Sequence, residues 1–308
     1  MTYSSDKYQF YIDSFKRTKN IEDWLSSFSI LIWDKLKFHY QYPGIVSRVS
    51  EGQITNELVS GIARLILEDN MPLPIRLFHA TNEKANGNDL EIVLELDRDK
   101  YIIMPCQAKR LYLDKKKSSA EANYDKMWYR PSEEIYQINS LIEYSQKHES
   151  YPLYLLYNFF EGEFDLNSYS YPELFGCTLI SALYIGEKYF YEYFEDKLNF
   201  NQLHPPAKPV SSLIEISSIE DLAKKWGEFT SLNARVKLYS LHEIVNYPGW
   251  IEINPPADTP PRRFVSSIDL HQILLSKEEV SKRDEFAPVF RVILTKDVIY
   301  HRKRNTAL

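Results

Sequence analysis

Cysteine is nearly missing from this chain: there are 2 in 308 residues, Cys106 and Cys177. They form neither a CxxC pair nor a disulfide framework, so the expected setting is a reducing cytoplasm. Glycine is scarce, at 9 residues, which argues against Gly-rich phosphate loops. No GxGxxG, Walker A or GxSxG pattern occurs. The 7 histidines are dispersed and contain no HExxH, so a zinc site has little support. A run long enough to span a membrane is also lacking. The longest nearly apolar stretch, Tyr151 to Phe160, is half a span at most. The start, MTYSSDKYQFYID, carries acids and no apolar core, unlike a signal peptide. Basic excess is missing as well: 37 Lys+Arg stand against 43 Asp+Glu, a net charge of −6. That excludes a whole-surface field that captures nucleic acid, but not a local basic face.

What is present is an ordinary globular composition, 44% hydrophobic and 26% charged, enriched in tyrosine at 23 residues. The length suits one large domain or two modest ones. Residues 21–39 carry Trp24, Phe28, Leu31 and Ile32 on one side and read as a helix. A second helix is predicted over 51–68, opened by the capping box Ser50-x-x-Gln53 and striped with Ile54, Leu58, Ile62 and Leu65. Glu57 falls about 60° from Ile54, on the shoulder of that stripe. It faces either a cleft or, as a boundary residue, water, and Arg64 is a candidate partner.

Residues 73–80, the alternating DLEIVLEL at 89–96 and YIIMPCQAKRL at 101–111 read as strands, with a turn at LDRDK. Pro105 suggests an edge strand or a bulge. A basic, polar segment runs from Asp114 to Arg130, followed by a helix at 132–148 and a buried strand at 152–160. Further strands are expected at 175–185 and 290–295, and helices at 187–198 and 218–227. This order implies a mixed sheet flanked by helices.

One constellation survives the exclusions. Asp89 opens a strand after a Gly-Asn loop, and Gln107 and Lys109, two apart on the next strand, share a face. If Asp97 pairs with Lys100, residue 89 lies opposite residue 108 and faces the wrong way. A three-residue turn, or a bulge near Pro105, would shift the register by one and bring Asp89 to the same face.

GNDLEIVLEL…IIMPCQAKRL resembles the PD-(D/E)xK phosphodiesterase superfamily, closest to its QxK branch of Mrr-type restriction endonucleases, which read GxD…QxKR. From Ile54 to about Leu213 the chain also resembles an uncharacterised bacterial domain family in that superfamily. The matching pieces are ITNELV, GNDLEI, QAKRL, PLYLLYN, FGCTLISA and HPPAKP. The resemblance implies an α/β restriction-endonuclease-like core, a mixed central sheet flanked by helices, over 49–216. A helical N-terminal segment (1–48) and a mixed α/β C-terminal extension packed on the core (217–308) would complete the chain. It also implies a nuclease holding Mg²⁺ or Mn²⁺ through Asp89 and Gln107, with Glu57 supplying the charge that a Gln in place of the usual acid leaves out. Lys109 would orient or deprotonate the attacking water, and Gln137 would shape the site, with Asn158 a weaker match.

Arg110 completes the QxKR match and is expected among the nucleic-acid contacts. Lys115, Lys116, Lys117, Lys126 and Arg130 are ordinarily a solvated face, but directly after the site they are the best candidates for holding a nucleic-acid backbone. DNA is the expected substrate and RNA is possible, since the metal chemistry does not distinguish the sugar. A role in restriction or anti-phage defence is implied by the resemblance, and a regulating protein partner or a homo-oligomer is plausible. The alternative is a non-catalytic interaction module that kept the fold.

Overall fold

The computed structural model describes residues 21–42, 49–67, 75–80, 89–113, 122–124, 127–128, 136–161, 172–191, 198–204, 206–226, 236–253 and 288–295. The side chains of residues 21, 64–67, 89, 190 and 191 are outside that description. So are Lys115, Lys116, Lys117, Lys126 and Arg130, whose expected contacts therefore lie outside the described residues.

Two helices lead: α1 (Ile21–Gln41) and α2 (Glu51–Leu67). The capping box at the start of α2 forms as the spacing predicts. The Ser50 hydroxyl accepts from the Gln53 amide at 3.2 Å, and the Gln53 side chain accepts from the Ser50 amide at 2.8 Å. Strands β1 (Ile75–Ala80), β2 (Asp89–Asp97) and β3 (Lys100–Tyr112) follow, then the short β4 (Asn123–Tyr124) and helix α3 (Gln137–Lys147). Next come β5 (Leu153–Tyr157), β6 (Cys177–Ser181), β7 (Leu198–Asn199) and β8 (Lys208–Pro209). Helices α4 (Ile219–Trp226) and α5 (Leu241–Val245) precede β9 (Trp250–Ile253) and β10 (Phe290–Leu294). The strand expected over 175–185 is shorter than its apolar run. Ser181 caps a helical turn that begins at Ala182, its hydroxyl accepting from the Leu183 and Tyr184 amides.

The strands form one mixed α/β sheet in the order β8-β6-β5-β3-β2-β10-β1-β9, with β4 and β7 branching from the end of β3. The sheet crosses the expected segment boundaries. β10, from the extension expected to pack on the core, enters between β1 and β2, parallel to β2 and antiparallel to β1.

β3 is central, not an edge, and Pro105 carries no bulge. The Ile103 carbonyl accepts from the Tyr151 amide on the β5 side. Because backbone groups alternate along a strand, the amide that Pro105 lacks also faces that side. The β3–β5 ladder begins only at Cys106↔Leu153, so no ladder bond is lost there.

Alternation divides the sheet into two faces. Leu90, Ile92 and Leu94 of β2, with Ile102, Met104, Cys106 and Ala108 of β3, join α1 and α2 in the larger apolar core. On the other face Val93, Ile103 and Tyr101 pack with Phe78, Ile244 and Ile293. Gly61 in α2 is different: a Cβ there would meet nothing within 4 Å. Gly61→Ala is therefore expected to raise stability by about 0.5–1 kcal/mol, read from a denaturant melt, because a mid-helix glycine only adds entropy to the unfolded chain.

Candidate functional site

The β2–β3 hairpin decides the register question. Asp97 pairs with Lys100, and an irregularity between Glu95 and Asp97 then shifts the ladder so that Asp89 stands opposite Gln107. The shift sits beside the turn rather than near Pro105. Directly opposed residues share a face, so positions 89, 107 and 109 lie on one side of the sheet.

That side is closed and polar in an unusual way. Gln107 is 2% exposed and Lys109 5%. The Gln107 Oε1 atom is buried with no hydrogen-bond partner. A buried carbonyl left unmade costs about 1–3 kcal/mol, so a donor or a cation at this atom would be favourable. The Lys109 ammonium donates to Gln137 Oε1 at 2.8 Å. Gln137 is the first residue of α3, so this helix packs across β3 with its N-terminus at the candidate site.

Two turns further along α3, Tyr144 donates to Glu91 Oε1 at 2.6 Å. Glu91 lies on the same face as Asp89, opposite Pro105. Its other oxygen, Oε2, accepts from Arg291 Nε and Nη2, each at 2.7 Å, and both side chains are 1% exposed. The Arg291 guanidinium also lies 4.3 Å from the Trp250 ring and 5.2 Å from that of Tyr247. Burial, and then the Glu91 charge, push the Tyr144 hydroxyl far above the usual phenol range, so it stays a donor. Nothing in the sequence hinted at this pair, because its partners are 200 residues apart.

Glu57 does not turn inward as expected. Its side chain is 61% exposed and forms an ion pair with Lys35 of α1, while the expected partner Arg64 has its side chain outside the described residues. Its helix also covers the opposite face of the sheet. The Thr55 hydroxyl meets Tyr157 at 2.8 Å and Glu51 accepts from Tyr112, both residues in register with the Cys106 side of β3. A shoulder position leaves a long carboxylate free to reach water, and Lys35 draws it there.

Arg110 faces the same way: it donates to the Val49 carbonyl and lies 4.8 Å over the Tyr112 ring, holding the chain into α2. Asn158 is fully buried, accepts from Tyr124 at 2.7 Å, and donates to the Phe175 carbonyl and Thr178. His204 joins that cluster, its pKa lowered by burial to about 3, and stacks on Phe200. This cluster ties β4, β5 and β6 together. Among the described residues no three His, Cys, Asp or Glu side chains gather as a metal site would require.

The chain belongs to DUF6615, a family of unknown function, whose match covers residues 21–300. Neither a curated protein nor a solved structure matches it.

Proposed function

We propose that this protein is a divalent-metal-dependent phosphodiester hydrolase, a nuclease acting on DNA, with a restriction-endonuclease-like core. The observation that carries the proposal is the shared face of positions 89, 107 and 109, where a buried amide oxygen lacks a partner and a buried lysine is held in place. Asp89 and Gln107 would hold Mg²⁺ or Mn²⁺, hard cations that take oxygen ligands. When bound, the ion supplies Lewis acidity and a water of lowered pKa. Lys109 places a positive charge where the phosphoryl group gains negative charge, and Gln137 fixes that charge in position. Lys115, Lys116 and Lys117 follow the strand that carries Lys109 and are proposed to contact the nucleic-acid backbone. Service in restriction or anti-phage defence, with a regulating partner or an oligomeric switch, is proposed on the sequence resemblance alone.

A second reading has its own support. Among the described residues, Glu57 is paired to Lys35 and Glu91 to Arg291, which leaves position 89 as the acidic position in register with Gln107. So small a charge favours a non-catalytic module that binds nucleic acid without cutting it.

Gln107→Glu separates the two. It restores an acid at this position and is expected to tighten Mn²⁺ binding about tenfold by titration calorimetry, because a carboxylate replaces a neutral amide as ligand. The wild-type chain should cleave DNA with Mg²⁺ or Mn²⁺ and stop on chelation. Binding without cleavage in both chains would establish the module instead, and RNA cut in preference to DNA would reassign the substrate.

A further inference from the structure

We infer that Tyr144, Glu91 and Arg291 are positioning residues for Lys109: they set where α3 lies on the sheet, and so where Gln137 meets the ammonium. The inference rests on the hydrolase reading above for the reaction that Lys109 serves.

The geometry begins with two contacts made by one helix. Gln137 and Tyr144 stand two turns apart on α3, so both face the sheet, about 10 Å from each other. At the first turn, Gln137 Oε1 accepts from Lys109 of β3 at 2.8 Å. Two turns on, Tyr144 donates to Glu91 of β2 at 2.6 Å. A helix moves as one body, so two polar contacts spaced along it fix its slide and its rotation together. A change at the Tyr144 end is therefore felt at Gln137.

The Glu91 end is the firm one. Its carboxylate is divided, with Oε1 accepting from Tyr144 and Oε2 accepting from Nε and Nη2 of Arg291. Arg291 lies directly in register with Glu91, donates through Nη1 to the Ile244 carbonyl at 3.3 Å, and is flanked by the Trp250 and Tyr247 rings. The C-terminal end of α3 is tied to the same segment. Tyr239 donates to the His148 carbonyl at 2.9 Å, and the Tyr247 hydroxyl meets His148 Nδ1 at 2.8 Å. Glu91 itself stands opposite Pro105, four residues from Lys109 along the strand direction, so it acts on the site through the helix.

Stability alone does not account for this network, since apolar residues of similar volume often serve a core as well as a buried ion pair or better. What the charged group adds is direction. A carboxylate oxygen holds the Tyr144 hydroxyl along one line, whereas an apolar contact would let the helix slide.

The test is a double-mutant cycle on the full chain, read by melting temperature and by steady-state cleavage of DNA with Mg²⁺. Gln137→Leu removes the acceptor and should lower the melting temperature by about 4 °C. In a Tyr144→Phe chain the same change should lower it by about half as much or less, whereas changes roughly 10 Å apart with no shared partner normally add. Tyr144→Phe alone should reduce kcat by about 10–100-fold with KM within about twofold, and adding Gln137→Leu should reduce it no further. Should Tyr144→Phe fail to fold, the joint replacement Glu91→Met, Tyr144→Phe and Arg291→Met takes its place in the cycle.

Additive losses of melting temperature overturn the positioning role, and so does a wild-type kcat in a folded Tyr144→Phe chain. Coupled melting temperatures in a chain that cleaves nothing uphold the positioning of Lys109 and remove the hydrolase.

Discussion

Arg291→Met is expected to lower stability by about 3–5 kcal/mol, because it leaves the Glu91 carboxylate charged and unpaired in a site with 1% exposure. A domain of this size would lose roughly 10 °C in melting temperature, measured by circular dichroism or calorimetry. The loss should exceed what the missing contacts suggest. Glu91 would keep only the Tyr144 hydroxyl on Oε1, while Oε2 faced apolar surroundings. Replacing the group as a unit, Glu91→Met with Arg291→Met and Tyr144→Phe, should recover most of the stability, since the penalty belongs to the orphaned charge. Equal losses in single and triple variants would show that the ion pair itself stabilises the fold. The pair also seats β10 against β2, where Arg291 and Glu91 are directly in register. Truncation before Phe290 is therefore a test of the core rather than of an appendage.

Lys109→Met is expected to reduce cleavage by about 10²–10³-fold, the usual cost of removing one positioned charge from a transition state. Methionine is the better probe than alanine. A lysine near the end of its strand carries little packing when it faces solvent, but this one is 5% exposed and its stem is part of the interior. Alanine would add a cavity to the loss of charge. With methionine the expected change in stability is about 1–3 kcal/mol, from leaving Gln137 Oε1 without its donor. The measurement pairs a cleavage assay with a denaturant melt of the same preparation. A folded variant that cleaves at the wild-type rate would remove Lys109 from the chemistry. A variant that unfolds would mark it as structural.

Much of the framework could be read from the chain alone. The 3.6-residue periodicity of α1 and α2, the Ser50–Gln53 capping box and the alternation of DLEIVLEL are local signals, set by neighbours within one turn or one pleat. So was the clustering of Gln107 and Lys109, two residues apart on one strand. The facing of position 89 was not legible, because it depends on one extra residue between Glu95 and Asp97, which no pattern of apolar residues announces.

What tertiary structure alone decided are matters of distance along the chain. Glu57 lies near the apolar stripe by helix geometry, yet Lys35, 22 residues away, draws it outward, and the packing of α2 sets it on the other face. Pro105 looked like an edge residue because a sequence cannot say where a neighbouring strand begins. β5 starts opposite Cys106, just past the missing amide. The insertion of β10 between β1 and β2, and with it the Glu91–Arg291 pair that fills the carboxylate next to the site, joins segments 200 residues apart. Local propensity sets each element, while the partners that neutralise, bury or orient a charged side chain come from wherever the sheet brings the chain back.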